Sequence, residues 1–103
     1  MLLLRTNVVE NYFVAHAGAK GLKAARRHYD AWRAIAEGAQ WRAPPEVKRS
    51  HPKASILKGS RVVFNIKGND FRLVVKINYA ARITEIRFFG THDEYDAIDV
   101  ETV

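Results

Sequence analysis

The sequence predicts an α+β fold: a mostly antiparallel, three- to four-stranded sheet with two N-terminal helices packed on one face. Two patterns predict it. Residues 7–37 repeat apolar side chains every three or four positions, the period of a helix, and residues 61–89 alternate apolar with polar, the period of a strand. Length supplies the third observation. A chain of 103 residues with 48% hydrophobic content can bury one core, and no repeat, low-complexity tract or linker divides it. Residues 1–103 are therefore expected to form a single domain.

The elements follow in order. Met1–Arg5 is a candidate strand beside the later ones. Asn7 with Glu10 three residues on is a capping arrangement, opening a short helix that carries Val8, Val9, Tyr12, Phe13 and His16 and ends at Gly18. A longer helix is expected over Ala19–Glu37. Its apolar side holds Leu22, Ala25, Tyr29, Trp32, Ile35 and Ala36, its other side Lys20, Lys23, Arg26, Arg27, Asp30 and Arg33, and Gly38 is placed to end it. Pro44, Pro45 and Pro52 exclude a long helix or a central strand from the next segment, but Pro45–Ser50 suits a short helical turn. Arg61–Lys67 then alternates, Gly68-Asn69 gives a turn, and Asp70–Tyr79 alternates again. Ala80-Ala81 connects to a third strand, Arg82–Phe89, stopped by Gly90.

Alternation sorts the strand residues by face. Val62, Phe64 and Ile66, then Phe71, Leu73, Val75, Ile77 and Tyr79, then Ile86 and Phe88 are expected to face the helices. Asn65, Lys67, Arg72, Lys76 and Arg87 are expected on the opposite face, interrupted by Val63, Val74 and Phe89 and offset in charge by Glu85. Such a face is either an ordinary solvated surface or a site for an anion.

Alternation alone leaves the two even. Lys and Arg number 17 against 11 Asp and Glu, a net charge of +6, which points to a polyanion, nucleic acid before an anionic membrane. No cysteine is present, so disulfides, thiolate nucleophiles and cysteine zinc sites are excluded. No apolar run approaches the ~20 residues of a membrane span, and Met1–Arg5 is too short for a signal peptide, so the cytoplasm is the expected compartment. There is no glycine-rich phosphate loop, no Gly-x-Ser-x-Gly elbow, and no histidine pair at zincin spacing. His16, His28 and His51 carry no pattern, and Trp32 and Trp41 read as core or lid aromatics.

The segment Gly90-Thr91-His92-Asp93-Glu94-Tyr95-Asp96 follows the third strand directly. Thr91 and Glu94 have the spacing of a capping box, so a helical turn is expected there. His92 and Tyr95 are three apart and share a side of it, while Asp96 either orients His92 or solvates the turn. A histidine, a tyrosine and several cations around one groove suit metal-free RNA cleavage. Histidine or tyrosine takes the 2′-hydroxyl proton or supplies one to the departing 5′-oxygen, and arginine matches the phosphate oxygens.

The stretches Ser55-Ile56-Leu57-Lys58, Arg61-Val62-Val63-Phe64-Asn65-Ile66-Lys67-Gly68-Asn69, Phe71-Arg72-Leu73-Val74-Val75, Ile86-Arg87-Phe88 and Gly90–Asp96 together resemble the HigB toxins of bacterial toxin–antitoxin modules, within the RelE-like superfamily. The resemblance extends over nearly the whole chain, including the Trp32 helix and the Pro44-Pro45 loop. It implies a ribosome-dependent mRNA endonuclease that halts translation by metal-independent 2′-O transphosphorylation, without a cofactor. It further implies a HigA-type antitoxin with a helix-turn-helix domain, through which alone operator DNA is met. By the same resemblance, Arg72 is similar to the arginine that contacts the scissile phosphate, and Tyr95 to a carboxy-terminal tyrosine acting as base or stacking residue. His92 falls where relatives carry an arginine or histidine near the cut, and Lys67 resembles a basic residue at a strand end. The expected catalytic set is Arg72, Arg87, His92 and Tyr95, the last two exchanging the parts of base and acid; Lys67, Lys76 and Asn65 are expected to hold RNA. Two other functions share this scaffold: a non-catalytic RNA- or ribosome-binding module, and a regulatory partner subunit.

Overall fold

A computed structural model describes all residues, Met1–Val103. Its elements are β1 (Leu2–Leu4), α1 (Asn7–Ala15), α2 (Leu22–Gly38), α3 (Pro44–Ser50), β2 (Ser55–Ile56), β3 (Arg61–Ile66), β4 (Phe71–Asn78), β5 (Ile83–Thr91) and α4 (His92–Asp96). The strands form one five-stranded mixed sheet in the order β1-β5-β4-β3-β2. The α+β class stands, but the expected three to four mostly antiparallel strands and two helices become five strands and four helices. β1 is the candidate strand at the N-terminus, and it runs parallel to β5. β2 is only two residues long and pairs with Val62 and Val63. Neither a three-residue nor a two-residue strand shows an alternation long enough to read.

Helices α1, α2 and α3 cover one face of the sheet. Val9 and Phe13 of α1, Leu22, Ala25, Tyr29, Trp32 and Ala36 of α2, and Val47 of α3 join Val62, Phe64, Ile66, Leu73, Val75, Ile77 and Ile86 in one buried cluster. The apolar set of α2 is therefore the predicted one, except that Ile35 is exposed. α1 is preceded by Thr6 and has no side-chain cap, so Asn7 is its first helical residue rather than its cap. α2 begins at Leu22 instead of Ala19, because Gly21 adopts a left-handed φ of +79° that breaks the helix before it.

One β-bulge sets the faces of β5. Val74 pairs with Phe88 and Val75 with Ile86, which leaves Arg87 as the extra residue. Strict alternation along Arg82–Phe89 sends Phe88 inward and Phe89 outward. The bulge reverses both. Phe89 is 4% exposed and packs against Tyr12, Phe13 and Phe71, with ring centroids 5.2, 5.3 and 5.5 Å apart. Adjacent phenylalanines cannot both enter one face of a regular strand, and burying Phe89 is worth about 2–3 kcal/mol, enough to repay a local kink. Gly90 does not stop the strand: β5 continues to Thr91, with Gly90 opposite Arg72.

The second face of the sheet is not open to solvent throughout. Val63 and Val74 are 3% and 0% exposed although they lie on the side away from α1–α3. The chain after α4 folds back here. The Val103 carbonyl accepts from Arg61 Nη2 at 2.9 Å and from Arg87 Nε at 3.2 Å.

Candidate active site

Arg72 and His92 meet at the end of the sheet where β4 begins and β5 ends. Arg72 Nη2 lies 2.7 Å from His92 Nδ1. The other branch of the guanidinium, Nη1, donates to the carbonyls of Asn69 and Phe71 at 3.0 and 3.2 Å. Arg72 is consequently 9% exposed, where a surface position on the sheet was expected. Guanidinium nitrogens only donate, so Nδ1 of His92 is the acceptor and carries no hydrogen. Its proton then sits on Nε2, which faces Asp96 Oδ2 at 3.2 Å. Arg72 and His92 are thus hydrogen-bonded, and the Asp96 carboxylate lies beside the far side of the imidazole.

Local chemistry places these groups. Thr91 and Glu94 form the expected capping box: the Glu94 N–H donates to Thr91 Oγ1 at 3.1 Å, and the Thr91 N–H donates to Glu94 Oε1 at 2.8 Å. The His92 N–H donates to the Asp70 carbonyl at 3.0 Å, pinning the start of α4 to the β3–β4 turn. Gly90 makes room for the cap. A Cβ on it would lie 2.7 Å from Phe88 Cζ and 3.0 Å from Glu94 Oε1. The Thr91 N–H bond above all holds the Glu94 carboxyl below its ordinary range, against burial, with the Tyr12 hydroxyl adding to the effect.

The remaining predicted residues are distributed around this pair. Asn65 lies directly opposite Arg72 in the sheet. Lys67 is not in a strand. It occupies the turn at φ +54°, pairs with Asp70 Oδ2 at 2.9 Å, and extends over Gly21, so its ammonium lies toward the helices instead of on the opposite face. The Lys67 ammonium holds the Asp70 carboxyl below its usual range. Lys67, Lys20, Asp70 and His92 line a shallow cleft of about 340 Å3. Tyr95 stands apart from this cleft, half-buried near Phe88 at a ring separation of 6.5 Å. Lys76 and Arg87 lie farther along the face, Arg87 at the bulge beside Val74 and Val75. Lys76 is opposite Glu85, and Arg87 is bound to Glu85 and to the Val103 carbonyl. The Arg87 hydrogen bond depresses the Glu85 carboxyl. Four positions along β4 separate Arg72 from Lys76, about 13 Å of strand. The cations form two groups, not one.

A family model for the HigB toxin, the RelE-like toxic component of a toxin–antitoxin system, matches residues 25–98. The chain belongs to the HigB toxin family. No curated protein matches it. The matched span runs from α2 through α4 and includes Arg72, Arg87, His92 and Tyr95. It is thus a toxin of a toxin–antitoxin system, with an antitoxin as its counterpart. β1 and α1 lie outside the match. They contribute a residue that sequence reasoning missed: the Tyr12 hydroxyl donates to Glu94 Oε1 at 2.7 Å. Burial, and then the Glu94 carboxylate, raise the Tyr12 phenol above its ordinary value, so it remains a donor. No group of three or more His, Cys, Asp or Glu side chains gathers as a metal cluster, and no helix is long and apolar enough to cross a membrane.

Proposed function

We propose that this HigB-family toxin is an endoribonuclease that cuts messenger RNA on the ribosome, in the cytoplasm, by metal-independent 2′-O transphosphorylation. The supporting observation is the 2.7 Å hydrogen bond between Arg72 and His92, with Asp96 beside the imidazole and His92 on the rim of a cleft that also holds Lys20 and Lys67. In this reaction the 2′-oxygen bonds to phosphorus while the bond to the 5′-oxygen breaks. The 2′-proton passes to a base, the 5′-oxygen gains a proton from an acid, and the products end in a 2′,3′-cyclic phosphate and a 5′-hydroxyl.

Each group has a part in this scheme. A phosphate reaching Arg72 competes for Nη2, which now donates to His92. Once that hydrogen bond shifts to a phosphate oxygen, the Nδ1 lone pair is released and takes the 2′-proton. Asp96, 3.2 Å from Nε2, stabilises the resulting imidazolium. The fixed guanidinium meets the charge that builds on phosphorus, commonly the largest catalytic contribution. Tyr95 stands apart from the cleft but on the same helix as His92, with no hydrogen bond to its phenol within the protein; RNA laid across α4 brings the 5′-oxygen to it, and it supplies the proton. Asn65, Lys67 and Lys76 hold the strand. Arg87 joins them on exchanging Glu85 for phosphate. The antitoxin is of HigA type, with a helix-turn-helix domain that carries operator binding.

Mapping messenger RNA 5′ ends after induction tests this. New ends within coding regions are expected with the wild type and not with Arg72→Gln. Growth arrest without new ends would establish the non-catalytic ribosome-binding alternative instead.

A further inference from the structure

β2 covers only Val62 and Val63 of β3, so the edge of β3 from Phe64 to Ile66 is left without a strand partner. A cleft of about 490 Å3 opens there, between the α3–β2 connection and the β3–β4 turn. His51 is the one aromatic ring open to it, backed by the buried Phe64 and Trp41. The His51 ring meets Phe64 edge-on at 5.0 Å and Trp41 at 5.9 Å. Its walls hold polar groups without partners: the Asn65 and Asn69 carboxamides and the Lys53 ammonium make no hydrogen bond or ion pair within the protein.

The hydrogen-bond network fixes what His51 presents. The Ser50 hydroxyl has one proton and donates it to the Val47 carbonyl at 3.1 Å. Its oxygen therefore accepts from Trp41 Nε1 at 3.2 Å and from His51 Nδ1–H at 2.9 Å. With the hydrogen on Nδ1, Nε2 is an acceptor that has no partner in the protein. Burial lowers the His51 pKa, which keeps the ring in this neutral form. The cleft also adjoins Arg72: Asn65 is its partner across the sheet, and the Asn69 carbonyl holds its Nη1 at 3.0 Å.

A half-buried imidazole with a free acceptor and unpaired carboxamides are groups that read the edge of an unstacked nucleobase. We propose that this cleft is a base-recognition subsite taking one nucleobase with an exocyclic amine from the RNA strand whose phosphate rests on Arg72. The subsite rests on the nuclease assignment for its substrate. The amine donates to His51 Nε2, the carboxamides bond the neighbouring ring positions, and Lys53 meets the next phosphate. Uracil has no exocyclic amine. It carries a carbonyl oxygen where adenine and cytosine carry the amine, which sets an acceptor against the Nε2 acceptor and is the source of discrimination.

The experiment uses the full chain and a fluorescent, fully 2′-O-methylated RNA hexanucleotide, which cannot be cut. Adenine is exchanged for uracil at each position in turn, and binding is read by anisotropy. At one position the exchange is expected to weaken binding on the order of five- to tenfold. His51→Phe, which keeps the aromatic surface and removes the acceptor, is expected to abolish that ratio. Asn69→Ala, on the exposed turn, is expected to reduce it and covers the case in which His51→Phe does not fold. A wild type indifferent to the exchange at every position, or variants that keep the full ratio, would overturn the subsite. A wild type that discriminates yet cuts no message on ribosomes would leave the subsite standing and overturn the nuclease assignment.

Discussion

The Tyr12 hydroxyl and the Glu94 carboxylate share a 2.7 Å hydrogen bond across 82 positions of sequence. It joins α1 to the cap of α4, the helix that carries His92, Tyr95 and Asp96. The site's second wall is therefore held from the opposite end of the chain.

Tyr12→Phe removes one hydrogen bond and leaves the ring contacts with Phe71 and Phe89. A loss of about 1 kcal/mol is expected in denaturant unfolding. The pH dependence follows from Glu94. A carboxyl held below its ordinary value of 4.5 adds stability above that pH, and the stability is lost as pH falls through the folded-state value. Between neutral pH and acid, stability should fall less steeply in Tyr12→Phe than in the wild type. An unchanged acid slope would mean that Tyr12 does not act on Glu94.

Arg72→Ala is expected to cost stability as well as activity. The Asn69 and Phe71 carbonyls and His92 Nδ1 each lose a donor, about 1–3 kcal/mol in a part-buried setting. Arg72 can therefore be assigned a chemical role only from variants whose thermal unfolding has been measured beside their cleavage.

Asp96→Asn leaves α4 and its capping box intact, since neither box hydrogen bond involves residue 96. Stability should change by less than about 0.5 kcal/mol, as at other exposed positions. Cleavage by ribosome-bound toxin should fall on the order of tenfold or more, as an imidazolium loses its carboxylate. Equal cleavage by Asp96→Asn and wild type would remove Asp96 from the mechanism.

The bulge makes a separate prediction. Phe89→Ala should destabilise by about 3–5 kcal/mol, the usual cost of deleting a buried aromatic side chain. Phe88→Ala, on the other face and half-buried, should cost clearly less. The reverse order would restore regular alternation through Phe89 and return Arg87 to the pattern of an unbulged strand.

Much of the frame was legible because it follows from periodicity. The α2 stripe from Leu22 to Ala36, the β3–β4 hairpin and the Thr91–Glu94 cap all rest on local spacing, and all three are present. What alternation cannot encode is direction, as in parallel β1, or the point where a strand changes frame, as at Arg87. Local spacing also assigned Lys67 to a strand, whereas its left-handed turn aims it elsewhere. The site was half legible. Strand faces and the histidine turn point to Arg72 and His92, and the structure joins them. Tyr12 gave no signal, because its partner is remote and its neighbours Val9 and Phe13 mark it as an ordinary helix position. Lys76 and Arg87 share a face with Arg72, but Lys76 lies four positions along the strand and Arg87 is taken up by Glu85 and the folded-back chain after α4.

The most direct measurement is the chemistry of the RNA ends made by purified toxin on ribosomes programmed with a defined message, for wild type and Arg72→Gln. Arg72 and His92 as the cutting pair predict 2′,3′-cyclic phosphate and 5′-hydroxyl ends from the wild type, and a loss of at least about a hundredfold in rate for the folded variant. Ends carrying a 3′-hydroxyl, or undiminished cutting by Arg72→Gln, would contradict it.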